Sequence, residues 1–154
     1  MRFDFFFKVL LETRECNLYW IEEAWHEDPV LYKKLKDWLA SERLSVLIAD
    51  GEGDASIKLM EYAQQNLIDV VQYSCRYQGF SFWLKTAQKL QQWNVLCAPH
   101  NYGSAFVNYA ACHLAAVIGG MVEWDYAENE AFSGREQYVL KEGQVTFPEN
   151  MEGF

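Results

Sequence analysis

Apolar and polar positions run along this chain in two rhythms. Short apolar runs end in charged or glycine-rich turns: LYWIEE (18–23), SVLIADGEG (45–53), IDVVQYS (68–74), NVLCAPH (94–100) and MVEWD (121–125). Runs of this length between turn residues read as strands. Between them lie longer stretches whose apolar residues recur three and four apart, the period of a helix face. In DPVLYKKLKDWLASE, Leu31, Leu35, Trp38 and Leu39 form one stripe. Asp28 stands where a helix cap belongs, and Pro29 fits the first helical position. A second helix is predicted through Ile57, Met60 and Ala63. A third lies in FSFWLKTAQKLQQW, with Trp83, Leu84, Ala87 and Leu90 at helical spacing. A fourth lies in AFVNYAACHLAAVIG, with Phe106, Tyr109, Ala110, Leu114 and Val117 inside. The tail YVLKEGQVTF alternates loosely about Lys141-Glu142-Gly143 and predicts a hairpin or an extended flap.

Strand-helix alternation implies parallel strands joined by helical crossovers, an α/β fold. The chemically suggestive residues then fall at one place in each unit: Glu22, Glu52, Ser74, His100 and Glu123. These are the C-terminal strand ends, where side chains converge in parallel sheets and barrels. Each residue alone has a plain alternative. Glu22 could cap the next turn, with Glu23 beside it able to play either part. Glu52 lies between two glycines, as turn residues often do. His100 could bond a loop backbone, and Glu123 could be a buried acid paired with a cation. Asp125 is its rival and reads as exposed. His26 reads as a surface residue and His113 as packed within a helix. The six tryptophans, Trp20, Trp25, Trp38, Trp83, Trp93 and Trp124, read as packing.

Composition narrows the class. With 154 residues, 51% of them hydrophobic and 16% aromatic, the chain can build one core, so residues 1–154 form a single domain. A net charge of -9 argues against nucleic-acid binding, which needs clustered Lys and Arg. The four cysteines form no CxxC pair. Cys97 and Cys112 read as buried free thiols, which suits a reducing, cytoplasmic setting. The opening MRFDFFFKVLLE is apolar but short and interrupted by Asp4, Lys8 and Glu12. It reads as neither a signal peptide nor a membrane span.

Several stretches, in order, resemble the enolase superfamily, and within it the mandelate racemase/muconate lactonizing enzyme-like and acid-sugar-dehydratase-like members. They are LYWIEEAWHEDP, LIADGEG, VVQYS with QGFSFWLK, APHNYG, HLAAVIGGMVEWD and GQVTFPENMEGF, from about Asn17 to the C-terminus. The resemblance implies a (β/α)8 TIM-type barrel of which this chain carries the C-terminal five strand-helix units. The capping domain and first strands have no counterpart in these residues. By motif, Glu22 matches the fourth-strand magnesium ligand and Glu52 the fifth-strand one. His100 matches the seventh-strand acid/base, and Glu123 the eighth-strand residue that hydrogen-bonds the substrate carboxylate or enediolate. The implied activity is a magnesium-dependent lyase or isomerase, a dehydratase or racemase acting next to the carboxylate of an acid sugar.

Four departures qualify that expectation. The third metal ligand and the second-strand lysine base would lie upstream of residue 1. The sixth-strand aspartate that usually pairs with the histidine aligns with Ser74, or with Tyr73 if the loop shifts by one, a degenerate dyad. Ala24 replaces a proline, and the chain stops at EGF where family members continue. A barrel cut in this way exposes strand edges, which invite a homo-oligomer or a complementing chain. The chain alone is therefore expected to be inactive. The alternative reading is a non-catalytic remnant or an oligomerising interaction module.

Overall fold

A computed structural model describes residues 3–53, 55–102, 105–124 and 138–146. The chain alternates strand and helix as predicted: α1 (Phe3–Glu12), β1 (Trp20–Glu22), α2 (Pro29–Glu42), β2 (Leu47–Asp50), α3 (Leu59–Gln64), β3 (Val70–Val71), α4 (Cys75–Gln92), β4 (Leu96–Cys97), α5 (Ala105–Ile118), then β5 (Val139–Lys141) and β6 (Gln144–Thr146). Strands β1 to β4 form one parallel sheet in sequence order. The register sets Glu22 opposite Ala49, Ala49 opposite Val70 and Val71 opposite Cys97. Strands β5 and β6 form the hairpin about Glu142 and Gly143, with Leu140 opposite Val145.

The two-residue period of a strand separates two faces. Ile21, Ile48, Val71 and Cys97 point into the main core, where they meet Leu10 of α1, Leu35 and Leu39 of α2, Leu59 of α3, Trp83 and Leu90 of α4, and Leu114 of α5. The five described helices thus pack against one face of the sheet. The alternate residues Trp20, Leu47, Ala49, Val70, Ala98 and Met121 form a smaller apolar cluster on the other face.

Local chemistry explains where the helices begin and stop. Asp28 accepts the amides of Val30 and Leu31 at 2.8 and 3.2 Å, with Pro29 at the first helical position. That cap satisfies two of the amides a helix start leaves open. Helix α1 anchors through aromatics: the Phe7 ring stacks on Trp38 at 4.1 Å, and Phe3 and Phe6 approach Trp25. Helix α4 contains a break at Gly79 (φ 71°, ψ 174°), a backbone conformation open essentially to glycine.

Several expected details change. The helix through Ile57 is shorter, and Ile57 itself is 94% exposed. Helix α4 begins earlier, at Cys75, and Leu84 faces outward while Thr86 is buried. On α5, Phe106 and Val117 are 44% and 72% exposed. Ala111, Cys112 and Ala115 take the inner places, because small residues let the helix sit close to the sheet. The segment MVEWD is not a ladder strand over its described residues, 121–124. It joins β4 by one bond, Met121 N–H to the Cys97 carbonyl at 2.9 Å. The approach needs glycine just before it, since a Cβ on Gly120 would sit 2.7 Å from the Cys97 oxygen. Asp125 lies outside the described residues.

Candidate metal and acid/base site

The parallel register carries the strand ends to one rim of the sheet. Glu22 closes β1, Glu52 follows β2, and His100 follows β4. Beyond β3 and β4 the ladder continues through a bridge between Ser74 and His100. The His100 amide donates to the Tyr73 carbonyl at 3.1 Å, and the Cys75 amide donates to the His100 carbonyl at 3.0 Å. Tyr73 turns into the helix layer against Phe82 and Trp83. Alternation therefore leaves Ser74, not Tyr73, on the His100 side of the strand.

The ligand atoms of Glu22, Glu52 and His100 all lie within 4.8 Å of one another. His100 sits between two carboxylates. Its Nε2 is 3.2 Å from Glu52 Oε1, and its Nδ1 is 2.7 Å from Glu123 Oε2. The second contact is close, but the oxygen stands off the line of the ring N–H, so it has ion-pair distance without hydrogen-bond alignment. The His100 side chain is only 12% exposed. The Asn101 amide donates to the same Glu123 Oε2 at 2.7 Å, so backbone and imidazole share one carboxylate oxygen.

A second set of acids surrounds this group. Glu23, Glu27, Asp50 and Glu52, with Trp25, His26 and Ala55, line a cavity of about 340 Å³. Burial pushes the Glu23 carboxyl above its ordinary pKa, and repulsion from Glu52, Asp50 and Glu22 pushes the same way. Burial likewise raises Glu27 and Glu123, against the Ser56 amide at Glu27 and against the Asn101 amide and His100 at Glu123. Asp50 is raised by burial although the Tyr32 hydroxyl and the Gly51 amide donate to it. Like-charge crowding of this kind is what a bound cation relieves. The donor set fits a hard divalent ion: carboxylate oxygens at Glu22 and Glu52, with room beside them for water.

Five residues at or near the site go beyond what the sequence pattern marks. Trp20 reads as packing, but its indole N–H donates to Glu22 Oε2 at 3.2 Å. Asn101 lies within APHNYG, where its type and spacing signal no role. Asp50 and Tyr32 form a buried pair beneath the acids. The Asp-Gly-Glu spelling is the available signal for Asp50; nothing local marks Tyr32, which reaches the site from α2. Gln72 is almost fully buried, two residues past Val70, and neither atom of its amide finds a partner among the described residues. The other histidines stay outside the group: His26 is at the cavity wall, and His113 Nε2 lies 3.0 Å from the Tyr138 hydroxyl. Cys75, Cys97 and Cys112 are buried free thiols, pushed by burial up to about 11, 11 and 12.

Known proteins share this fold. A family described as enolase C-terminal domain-like matches residues 6–153. A mandelate racemase/muconate lactonizing protein from Geobacillus sp. Y412MC10, solved with magnesium and tartrate, is 40% identical over 92% of this chain, with a TM-score of 0.83. A galacturonate dehydratase from Geobacillus sp., solved with D-galacturonate and 5-keto-4-deoxy-D-galacturonate, is 38% identical over 92% of this chain, again with a TM-score of 0.83. An L-talarate dehydratase from Polaromonas sp. JS666 shares the fold at 21% identity and a TM-score of 0.64, over 94% of this chain and 38% of its own. This chain spans 37% of the first of these proteins and 38% of the second. No curated protein matches it. No helix among the described residues is long and apolar enough to cross a membrane. With a family match over nearly its whole length and solved relatives near 40% identity, this chain belongs to the enolase C-terminal domain-like family, in its mandelate racemase/muconate lactonizing branch.

Proposed function

We propose that this chain supplies the carboxylate and histidine part of a magnesium-dependent site that removes a proton next to the carboxylate of an acid sugar, a galacturonate-like compound being the first to test. Glu22 and Glu52 hold the cation. Bound there, the cation supplies positive charge beside the substrate carboxylate. His100 moves the proton, since an imidazole exchanges protons near neutral pH. Glu123 faces the substrate carboxylate, its own carboxyl pushed upward by burial against the opposing pull of the Asn101 amide and His100. Trp20 steadies the Glu22 carboxylate through its indole N–H. Turnover needs the groups the family places before these strands, from a longer polypeptide, a second copy or a complementing chain.

The observation that carries this reading is the convergence of Glu22, Glu52 and His100 within 4.8 Å, from three separate strand ends. Calorimetric titration of the purified chain with magnesium tests it. Saturable binding that disappears in Glu52→Gln is the expected outcome. Absence of binding up to millimolar metal would overturn it and leave the non-catalytic reading. One feature favours that second reading: Ser74 brings no carboxylate to His100, and two protein carboxylates hold magnesium only weakly.

A further inference from the structure

We infer that β3 also serves the site, and that the buried amide of Gln72 binds a hydroxyl of the acid-sugar substrate. The inference rests on the proposed reading for the class of ligand and deepens it: Gln72 reads hydroxyl groups where the other residues handle charge.

Strand β3 lies between β2, which leads to Glu52, and β4, which leads to His100. Its backbone stays extended past Val71. The Gln72 backbone amide donates to the Asp50 carbonyl at 2.9 Å on one side. On the other, the carbonyls of Val71 and Tyr73 accept the amides of Ala98 and His100 at 3.0 and 3.1 Å. Side chains therefore keep alternating. Val71 and Tyr73 belong to the core on the helix side, and Val70 to the cluster on the opposite face. Gln72 shares the face of Val70. By the same alternation it is the face of Trp20 and Glu22 on β1, and of Ala98 and His100 beyond β4. Along the strand direction Gln72 falls between two levels of the site. Val70 is level with Glu22 through Ala49, and Ser74 is bridged to His100.

The amide enters this place without a bond of its own. Gln72 is 1% exposed, and among the described residues neither Oε1 nor Nε2 has a partner. The register sets Gly51 and Ala98 level with it on the neighbouring strands, and neither side has a polar group to offer. A buried amide left unpaired lowers stability, and an apolar side chain of the same length would avoid that loss. The amide is suited to a partner that these residues do not supply.

The chemistry of the amide selects that partner. It carries no charge, and it offers an acceptor at Oε1 and donors at Nε2. A hydroxyl donates and accepts, so it can satisfy both arms. A carboxylate only accepts and would leave Oε1 unpaired, and a methylene would leave both arms unpaired. A buried group of this kind discriminates strongly against an analogue that lacks the hydroxyl. Water has the same bonding chemistry. A water held there permanently would be part of the fold, whereas a substrate hydroxyl is tied to ligand binding, and stability and affinity separate the two.

Tartrate and succinate are the probes, since both are four-carbon dicarboxylates and only tartrate carries hydroxyls. Calorimetric titration of the purified chain, with and without magnesium, is expected to show tighter binding of tartrate. Gln72→Met keeps the length and removes the amide. It should weaken tartrate about three- to ten-fold, the worth of a hydrogen bond, and leave succinate within about two-fold. Its urea midpoint should equal or exceed that of the wild type, as should that of Gln72→Leu. A wild-type chain that binds the two acids alike, or binds neither, overturns the inference. So does a Gln72→Met chain that keeps the wild-type preference for tartrate. A midpoint below wild type in both variants, or failure of both to fold, also overturns it, because the amide would then be bonded within the free chain through a fixed water. Absence of magnesium binding would strike the metal reading, while the tartrate preference without magnesium and the two midpoints would still decide the role of Gln72.

Discussion

Asp50 shows how one buried carboxyl couples the helix layer to the site. It is 4% exposed, accepts the Tyr32 hydroxyl and the Gly51 amide, and has its pKa lifted above 3.8 by burial. A folded state that holds a proton more tightly than the unfolded chain gains stability below the unfolded pKa and loses it as pH rises through the folded one. Stability should therefore fall as pH climbs above 3.8, with Glu23, Glu27 and Glu123 adding falls of the same sign. Asp50→Asn should flatten this slope in urea titrations run at a series of pH values; a profile superimposable on wild type would refute the assignment. Tyr32→Phe removes a contact that lowers the Asp50 pKa, so it should carry the fall to higher pH. It should also cost about 1–3 kcal/mol for the lost buried partner. Strand-end positions make Glu22, Glu52, His100 and Glu123 legible as a set in the sequence. Tyr32 and Asn101 are not legible there, because their roles come from contacts across 18 and 22 residues of chain that no local pattern encodes.

Among the elements, caps and periods are the readable part. Asp28 and Pro29 start α2 as their chemistry requires, and Asp28→Ala should cost about 1 kcal/mol in thermal or urea unfolding. The strands are harder to read, since seven-residue apolar runs give ladders of only two residues in β3 and β4. Apolar runs register burial, whereas a ladder needs a neighbour in register on the adjoining strand. Helix α4 offers a sharper test. Were Gly79 helical, alanine there would stabilise the chain by about 1 kcal/mol. Its φ of 71° and ψ of 174° instead make alanine strained, with no nearby atom to clash. Gly79→Ala should thus destabilise by about 1–3 kcal/mol. A stabilised variant would mean that α4 runs unbroken.

At the scale of the whole molecule, the second face of the sheet carries a smaller apolar cluster whose centre is buried and whose outer members are only partly so. Trp20, Leu47, Ala49, Val70, Ala98 and Met121 cluster there, above which the carboxylates and His100 stand at the strand ends. The helix-covered face and the strand order are legible from the alternation of elements, but what meets the other face is not. The relatives of 38–40% identity extend well beyond the matched part, which is 37–38% of their length. Two consequences separate here. On the proposed reading Glu22 and Glu52 hold the cation, and both lie within these 154 residues. Proton abstraction needs a substrate held in place and water excluded, and the matched part is only 37–38% of the relatives' length. The 154-residue chain should therefore bind magnesium yet give no product from an acid-sugar panel. Adding a polypeptide that carries the remaining part of a Geobacillus relative's barrel should produce turnover, and His100→Asn in this chain should abolish it while leaving magnesium affinity within about two-fold, since a neutral amide of similar reach keeps the carboxylates in place. Turnover by the chain alone would show that its own residues, or a second copy of them, close the site. Turnover that survives His100→Asn would remove the histidine from the chemistry and leave Glu22 and Glu52 as a metal site without its proton carrier.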